Sequence, residues 1–150
     1  MRDTPDELLA TCWTSAGDAA SDRPDLRSPL TLRERIEAAS SAGFTGFGLL
    51  SDDLPAAVAQ YRLTGIQAML ADNGIAHLEL EGIPHWWDDG ARQPESDRVR
   101  HELLEAAEAL GARHIKITPD GDDGPGTAAG GPRSSPGSQH RRRMSAHAWA

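Results

Sequence analysis

Ala42-Gly43-Phe44-Thr45-Gly46-Phe47-Gly48-Leu49-Leu50, Asn73-Gly74-Ile75-Ala76-His77-Leu78-Glu79-Leu80 and Leu110-Gly111-Ala112-Arg113-His114-Ile115-Lys116-Ile117 share one pattern: a helix-like run ends in a glycine and a short apolar segment follows at once. Glycine tolerates the left-handed conformation that closes a helix. These glycines stand 31 and 37 residues apart, which is room for one helix, one strand and two loops, so the unit is a βα repeat. Repetition at that period predicts an α/β protein with parallel strands, helices packed outside them, and chemistry at the strands' C-terminal ends.

Outward from these segments the rest of the chain falls into place. Leu8-Leu9-Ala10-Thr11-Cys12-Trp13 reads as a first strand, and residues 14–29 as a polar loop rich in turn formers. Thr31 and Glu34 form a Thr-x-x-Glu capping box for a helix whose apolar face is Leu32, Ile36 and Ala39. Strand two is expected over 44–50. Ser51, Asp52 and Asp53 are candidate caps for a second helix from about Pro55 to Asp72, with Val58, Ile66, Met69 and Leu70 inward. Strand three covers 75–81 and leads into the loop Gly82-Ile83-Pro84-His85-Trp86-Trp87-Asp88-Asp89-Gly90. A third helix opens at Ser96 or Asp97 with a stripe of Val99, Leu103, Leu104, Ala107 and Leu110, and strand four runs 114–118.

A chain of 150 residues, 25% charged and 38% hydrophobic, is one soluble globular domain by composition. No apolar stretch approaches the roughly 18 residues of a membrane span, and Met1-Arg2-Asp3-Thr4-Pro5-Asp6-Glu7 lacks the apolar core of a signal peptide, so a cytoplasmic location is expected. Cys12 is the only cysteine, which excludes an intrachain disulfide. All 23 acidic residues lie within 1–123 beside 11 of the 15 basic ones, a net of −12, while 124–150 carries +4. An acidic body repels nucleic-acid phosphates, and three arginines, Arg141 to Arg143, do not reverse that.

After Asp123 the composition changes. Residues 124–150 contain no Leu, Ile, Val, Phe, Asp or Glu, so no apolar face can be built and a disordered tail is expected. The chain holds 14 Arg and one Lys, the mark of GC-rich coding DNA, and such DNA read out of frame yields mostly Ala, Gly, Pro, Arg and Ser. Two readings of the tail stand side by side: a flexible basic tail, or an out-of-frame or truncated end.

Cys12-Trp13, the run Arg35-Ile36-Glu37-Ala38-Ala39-Ser40-Ser41-Ala42-Gly43-Phe44-Thr45-Gly46-Phe47-Gly48-Leu49, Leu78-Glu79-Leu80-Glu81 followed by Trp86-Trp87, and Ala107-Glu108-Ala109-Leu110-Gly111-Ala112-Arg113-His114-Ile115-Lys116 together resemble the sugar phosphate isomerase/epimerase family with the xylose isomerase-like TIM barrel. The resemblance covers about residues 8–123. It implies an eight-stranded barrel that binds a divalent metal (Mg, Mn, Co or Zn) and interconverts small sugars or polyols by moving a proton or hydride next to a carbonyl. Such a barrel typically needs ~250 residues, and four strands precede the tail, so the resemblance is to the N-terminal half. The family's metal set of two glutamates, an aspartate and a histidine comes mainly from later strands, so no metal ligand is assigned here and the chain is expected to be inactive as it stands. Members also often show Pro-Trp-Asp soon after strand four; CCC TGG GAC C read one nucleotide late encodes the Pro125-Gly126-Thr127 found here. Related zinc-dependent DNA repair endonucleases use histidines after early strands, where this chain has Ser51 and Asp52. A different class, a non-catalytic half-barrel that binds a partner or dimerises through open sheet edges, is the alternative.

On strand three, alternation sets His77, Glu79 and Glu81 on one face and Ala76, Leu78 and Leu80 on the other. The charged set is expected to point inward; Glu81, nearest the C-terminal end, either orients a sugar hydroxyl, supports a metal from behind its ligands or makes a structural ion pair, while Glu79 and His77, deeper, are expected in core or ion-pair roles. Lys116 shares a face with His114 and Thr118; it either holds a phosphate or enolate oxygen or neutralises Glu79 or Glu81. Trp13, His85, Trp86 and Trp87 stand at the same end, where aromatic rings stack on sugar faces. A half-barrel is also expected to expose an apolar inner layer around Phe47, Leu49 and Ile83. Phosphate loops, dinucleotide fingerprints, nucleophile elbows and Cys-x-x-Cys pairs are all missing from the sequence.

Because residues 124–150 cannot bury apolar area against chain entropy, deleting them should leave the thermal unfolding midpoint unchanged. A cooperative loss of structure on that deletion would show that the tail packs.

Overall fold

Thr31 starts the first helix as its sequence requires: the Thr31 hydroxyl accepts from the Glu34 amide, and the Glu34 carboxylate accepts from the Thr31 amide at 2.8 Å. From that cap the architecture follows in a computed structural model that describes residues 7–87 and 90–117. The elements in chain order are β1 (Leu9–Ala10), a 3₁₀ turn (Cys12–Ser15), α1 (Leu32–Ser41), β2 (Gly46–Leu50), α2 (Leu54–Asp72), β3 (His77–Glu81), α3 (Gln93–Leu110) and β4 (His114–Lys116). Gly43, Gly74 and Gly111 all adopt positive φ, at 88°, 67° and 70°, immediately after their helices, so the repeat seen in the sequence is closed by the conformation that demands glycine.

The four strands form one sheet in the order β1-β2-β3-β4, all neighbours parallel. Register pairs Leu9 with Gly46, Gly46 with His77, and Glu79 with His114. Strand alternation then divides the sheet. Ala10, Phe47, Leu49, Leu78 and Leu80 lie in one buried cluster with Ile36 and Ala39 of α1, Ile66, Met69 and Leu70 of α2, and Val99, Leu103, Ala106 and Leu110 of α3. That is the helix-facing side, and it holds the apolar core. At ~25 cal/mol per Å² of buried apolar surface, this layer is the main stabilising contribution. Among the described residues no helix is long and apolar enough to cross a membrane.

Three expectations change. Phe47 and Leu49 do not line an exposed inner layer: they are fully buried under the helices, and Ile83 is buried too. The run Gly46-Phe47-Gly48-Leu49-Leu50 has apolar residues on both parities, so its facing was ambiguous, and the helices took the bulkier pair. The first strand pairs only over Leu9–Ala10, and Trp13 stands in the 3₁₀ turn instead of ending a strand. Helix α3 begins at Gln93, with Pro94 in its first turn, and Ser96 is buried within it. The expected tail, 124–150, lies outside the described residues, as does Thr118.

Helix α2 carries a kink. Arg62, exposed, has φ 57° and ψ 160° inside an otherwise helical run, a conformation that costs a non-glycine residue about 1–3 kcal/mol. Arg62→Gly should therefore raise the unfolding free energy by about 1 kcal/mol, read from the denaturation midpoint at constant m-value. A destabilised variant would show that the side chain, not the backbone, holds the kink.

Candidate functional site

The other side of the sheet is polar. β2 presents Gly46, Gly48 and Leu50, β3 presents His77, Glu79 and Glu81, and β4 presents His114 and Lys116, because each pairs with a residue of the same face. Glu81 is 2% exposed and Glu79 6%. A buried carboxylate is costly unless its oxygens are satisfied; here each oxygen has a neighbour of opposite charge or a donor, although Glu79 Oε1 has only an ion-pair contact and, among the described residues, no hydrogen bond. Glu81 Oε1 accepts from the Cys12 amide at 2.7 Å. Lys116 Nζ bridges Glu81 Oε2 and Glu79 Oε1, the latter at 3.2 Å, and the His114 ring meets Glu79 Oε2 through its Nε2.

Gly48 is what allows Glu81 to reach Cys12. A Cβ placed on Gly48 would come within 2.1 Å of Glu81 Oε1 and 2.8 Å of the Cys12 nitrogen. The carboxylate lies over a strand that has no side chain there, crossing β2 to the turn after β1. Gly48 has an ordinary φ, so its requirement is for space.

Cys12 is gripped from the helix side as well. Arg35 of α1 is 2% exposed; its guanidinium donates to the Cys12 carbonyl at 3.0 Å and to Asp53 Oδ2 at 2.6 Å, and stands 5.5 Å over the Phe47 ring. Asp53 also accepts from the Ser28 amide at 2.9 Å, which ties the 17–30 loop to the start of α2 in place of the helix cap expected of it. Arg35 was not among the residues expected at the site. Its signal was the position itself, three residues after Leu32 and four before Ala39 on the apolar stripe of α1.

The cluster sets the protonation of its members. Burial pushes the Glu79 carboxyl upward, but hydrogen bonding from His114 and Lys116 outweighs it and holds the group below its ordinary value of 4.5. Burial works against the Lys116 ammonium, and the two carboxylates more than offset it, raising its pKa above the ordinary 10.5. The Cys12 thiol is pushed up to about 12 by burial first and by Glu81 second, so it remains a neutral, packed thiol.

Of the residues expected at the mouth, the structure joins Glu81 to Lys116 and holds the turn carrying Trp13 through the Cys12 amide. His85, Trp86 and Trp87 form an aromatic group in the loop after β3, Trp86 and Trp87 edge to face at 5.6 Å and His85 and Trp87 at 6.4 Å. Trp86 is 48% exposed. Gly82 ties the start of that loop to β4, its amide donating to the Lys116 carbonyl at 3.1 Å. On the helix side a cleft of about 560 Å³ opens between the 17–30 loop, α1 and α2, lined by Arg27, Leu30, Leu49, Asp53 and Gln60 among others; it is separate from the inner-face cluster.

The divalent metal implied by the resemblance does not fit these donors. Among the described residues no three His, Cys, Asp or Glu side chains stand where they would hold one ion, and the Lys116 ammonium occupies the space between the two carboxylates where a cation would sit. No protein-family model matches the chain and no curated protein matches it.

Gly48→Ala should cost about 1–3 kcal/mol of stability, the range for forcing an extra methyl into a packed site, and should weaken the near-UV circular dichroism reporting on Trp13. A neutral Gly48→Ala would mean that Glu81 does not cross β2.

Proposed function

We propose that residues 1–123 form the N-terminal half of a sugar phosphate isomerase/epimerase-like (β/α)₈ barrel, whose inner face binds a small sugar or polyol. The observation that carries this reading is the Glu81–Lys116 pair at the C-terminal ends of adjacent parallel strands, the place where barrels of this kind bind their substrates. Lys116, whose side chain is 34% exposed, presents a donor to a hydroxyl group and is held in place by the buried Glu81. Trp13, His85, Trp86 and Trp87 supply rings for the apolar faces of a sugar, with Trp86 the most open to solvent. The metal of a complete barrel belongs to later strands in this reading, and no step here runs through it. Metal-dependent interconversion of ketose and aldose is accordingly not expected of residues 1–150.

A second reading, a non-catalytic half-barrel that binds or dimerises, is favoured by the sheet edges. Among the described residues β1 and β4 each have a neighbour on one side only, and Leu8 and Ile117 beside them are 55% and 49% exposed. Unpaired edges template further pairing.

Titration with xylitol, a neutral five-carbon polyol, followed by tryptophan fluorescence and by light scattering, separates the two. A saturable change that Glu81→Ala abolishes is the expected result. Concentration-dependent association with no response to xylitol would favour the dimerising module and overturn the sugar site.

A further inference from the structure

On the helix side of the sheet, we infer that the cleft between the 17–30 loop, α1 and α2 is a second binding site, built for an uncharged small molecule with an apolar body and a carbonyl-type oxygen that accepts from Arg35. It goes beyond the sugar site of the inner face and does not rest on it. At about 560 Å³ the cleft falls within the roughly 300–1,000 Å³ of small-molecule pockets.

Arg35 is the residue that marks the site. Its side chain lines the cleft and is 2% exposed. A guanidinium carries five N–H donors. Nη1 donates to Asp53 Oδ2 at 2.6 Å, Nη2 to the Cys12 carbonyl at 3.0 Å and Nε to the Ser15 hydroxyl at 3.5 Å, which leaves one hydrogen on each terminal nitrogen without a bond among the described residues. Burying a donor without a partner is costly, and an acceptor placed in the cleft supplies the partner.

Charge decides what kind of acceptor that is. The Asp53 side chain is 12% exposed and already pairs with Arg35, so an anionic ligand reaching this guanidinium would bring a second negative charge against Asp53 away from water. A cation would meet Arg35 itself. The two other pairs in the lining, Arg23 with Asp18 and Arg27 with Asp25, are half-exposed or more and internally balanced, so the six charges sum to zero and steer neither kind of ion. A neutral carbonyl oxygen accepts without adding charge.

The ligand's body meets an apolar wall. Leu32, Leu49 and Ala57 line the cleft as buried residues, and Leu30, 42% exposed, stands on its loop side. A molecule seated there covers Leu30 and removes apolar surface of its own from water.

Three probes that share a benzyl group test this on the full chain: uncharged N-benzylacetamide, anionic phenylacetate and cationic benzylamine, each titrated against ¹⁵N-labelled protein. N-benzylacetamide should give saturable shifts in the Arg35 Nε–H signal and the Leu30 and Ala57 amides, and in the Cys12 amide, because Arg35 holds the Cys12 carbonyl. The two ions should bind more weakly by about tenfold or more. Ala56→Trp, at an exposed α2 position on the cleft, fills it without entering the core, and should remove the response while the far-UV circular dichroism spectrum stays that of the unmodified chain. No saturable shift up to the solubility of N-benzylacetamide, binding of either ion as tight or tighter, an Arg35 signal that does not move, or a response that persists in Ala56→Trp would each overturn the inference. Xylitol titration of the same sample reads the inner face separately, so either site can fail without the other.

Discussion

The backbone of Cys12 is held by two buried charges on opposite faces of the sheet, and the rest of the site depends on that double grip. Its amide donates inward to Glu81, and its carbonyl accepts from Arg35 on the helix side. Each grip needs an accommodation elsewhere. Glu81 reaches the amide because residue 48 is glycine, and Arg35 reaches the carbonyl because Asp53 neutralises it beneath the 17–30 loop. The chain after Ala10 therefore leaves the sheet as a 3₁₀ turn, with hydrogen-bond partners for its backbone that a strand neighbour would otherwise supply.

The same grip explains why an inner face with two glutamates is tolerable. Two buried like charges raise each other's cost, and removing one partner of a buried pair typically costs about 3–5 kcal/mol because it strands the other. Lys116 lies between the two carboxylates, with His114 and the Cys12 amide taking the remaining oxygens. The face is thus negative and largely paired, with Glu79 Oε1 and His77 Nδ1 left without hydrogen bonds among the described residues. The apolar work of folding is done on the other side of the sheet, where the three helices cover Phe47, Leu49, Leu78 and Leu80.

Much of this was legible in the residues. Glycines 43, 74 and 111 mark their helix ends because few other residues enter the left-handed region cheaply, and the Thr31–Glu34 box is a local signal that tertiary structure had no reason to override. The alternation of Leu78-Glu79-Leu80-Glu81 placed both carboxylates on one face, and Lys116 as their partner was one of its two expected roles. The failures have a common cause in long-range contact. Cys12 and Glu81 are 69 positions apart, so nothing near Leu9–Trp13 announces that the strand will stop. Arg35 sits among apolar neighbours, and its burial is explained only by Asp53 and the Cys12 carbonyl. The two parities of β2 are both apolar or glycine, so its facing could be decided only by what packed against it.

Amide hydrogen exchange at Cys12 tests the double grip most directly. With its N–H buried and bonded to Glu81, the Cys12 amide should exchange far more slowly than that of exposed Asp18 in the loop that follows, and Glu81→Ala should remove that protection while leaving the amides of α3 protected. A Cys12 amide in the unmodified protein that exchanges as fast as Asp18 would contradict the account, because the turn at the head of the site would then be held by something other than Glu81.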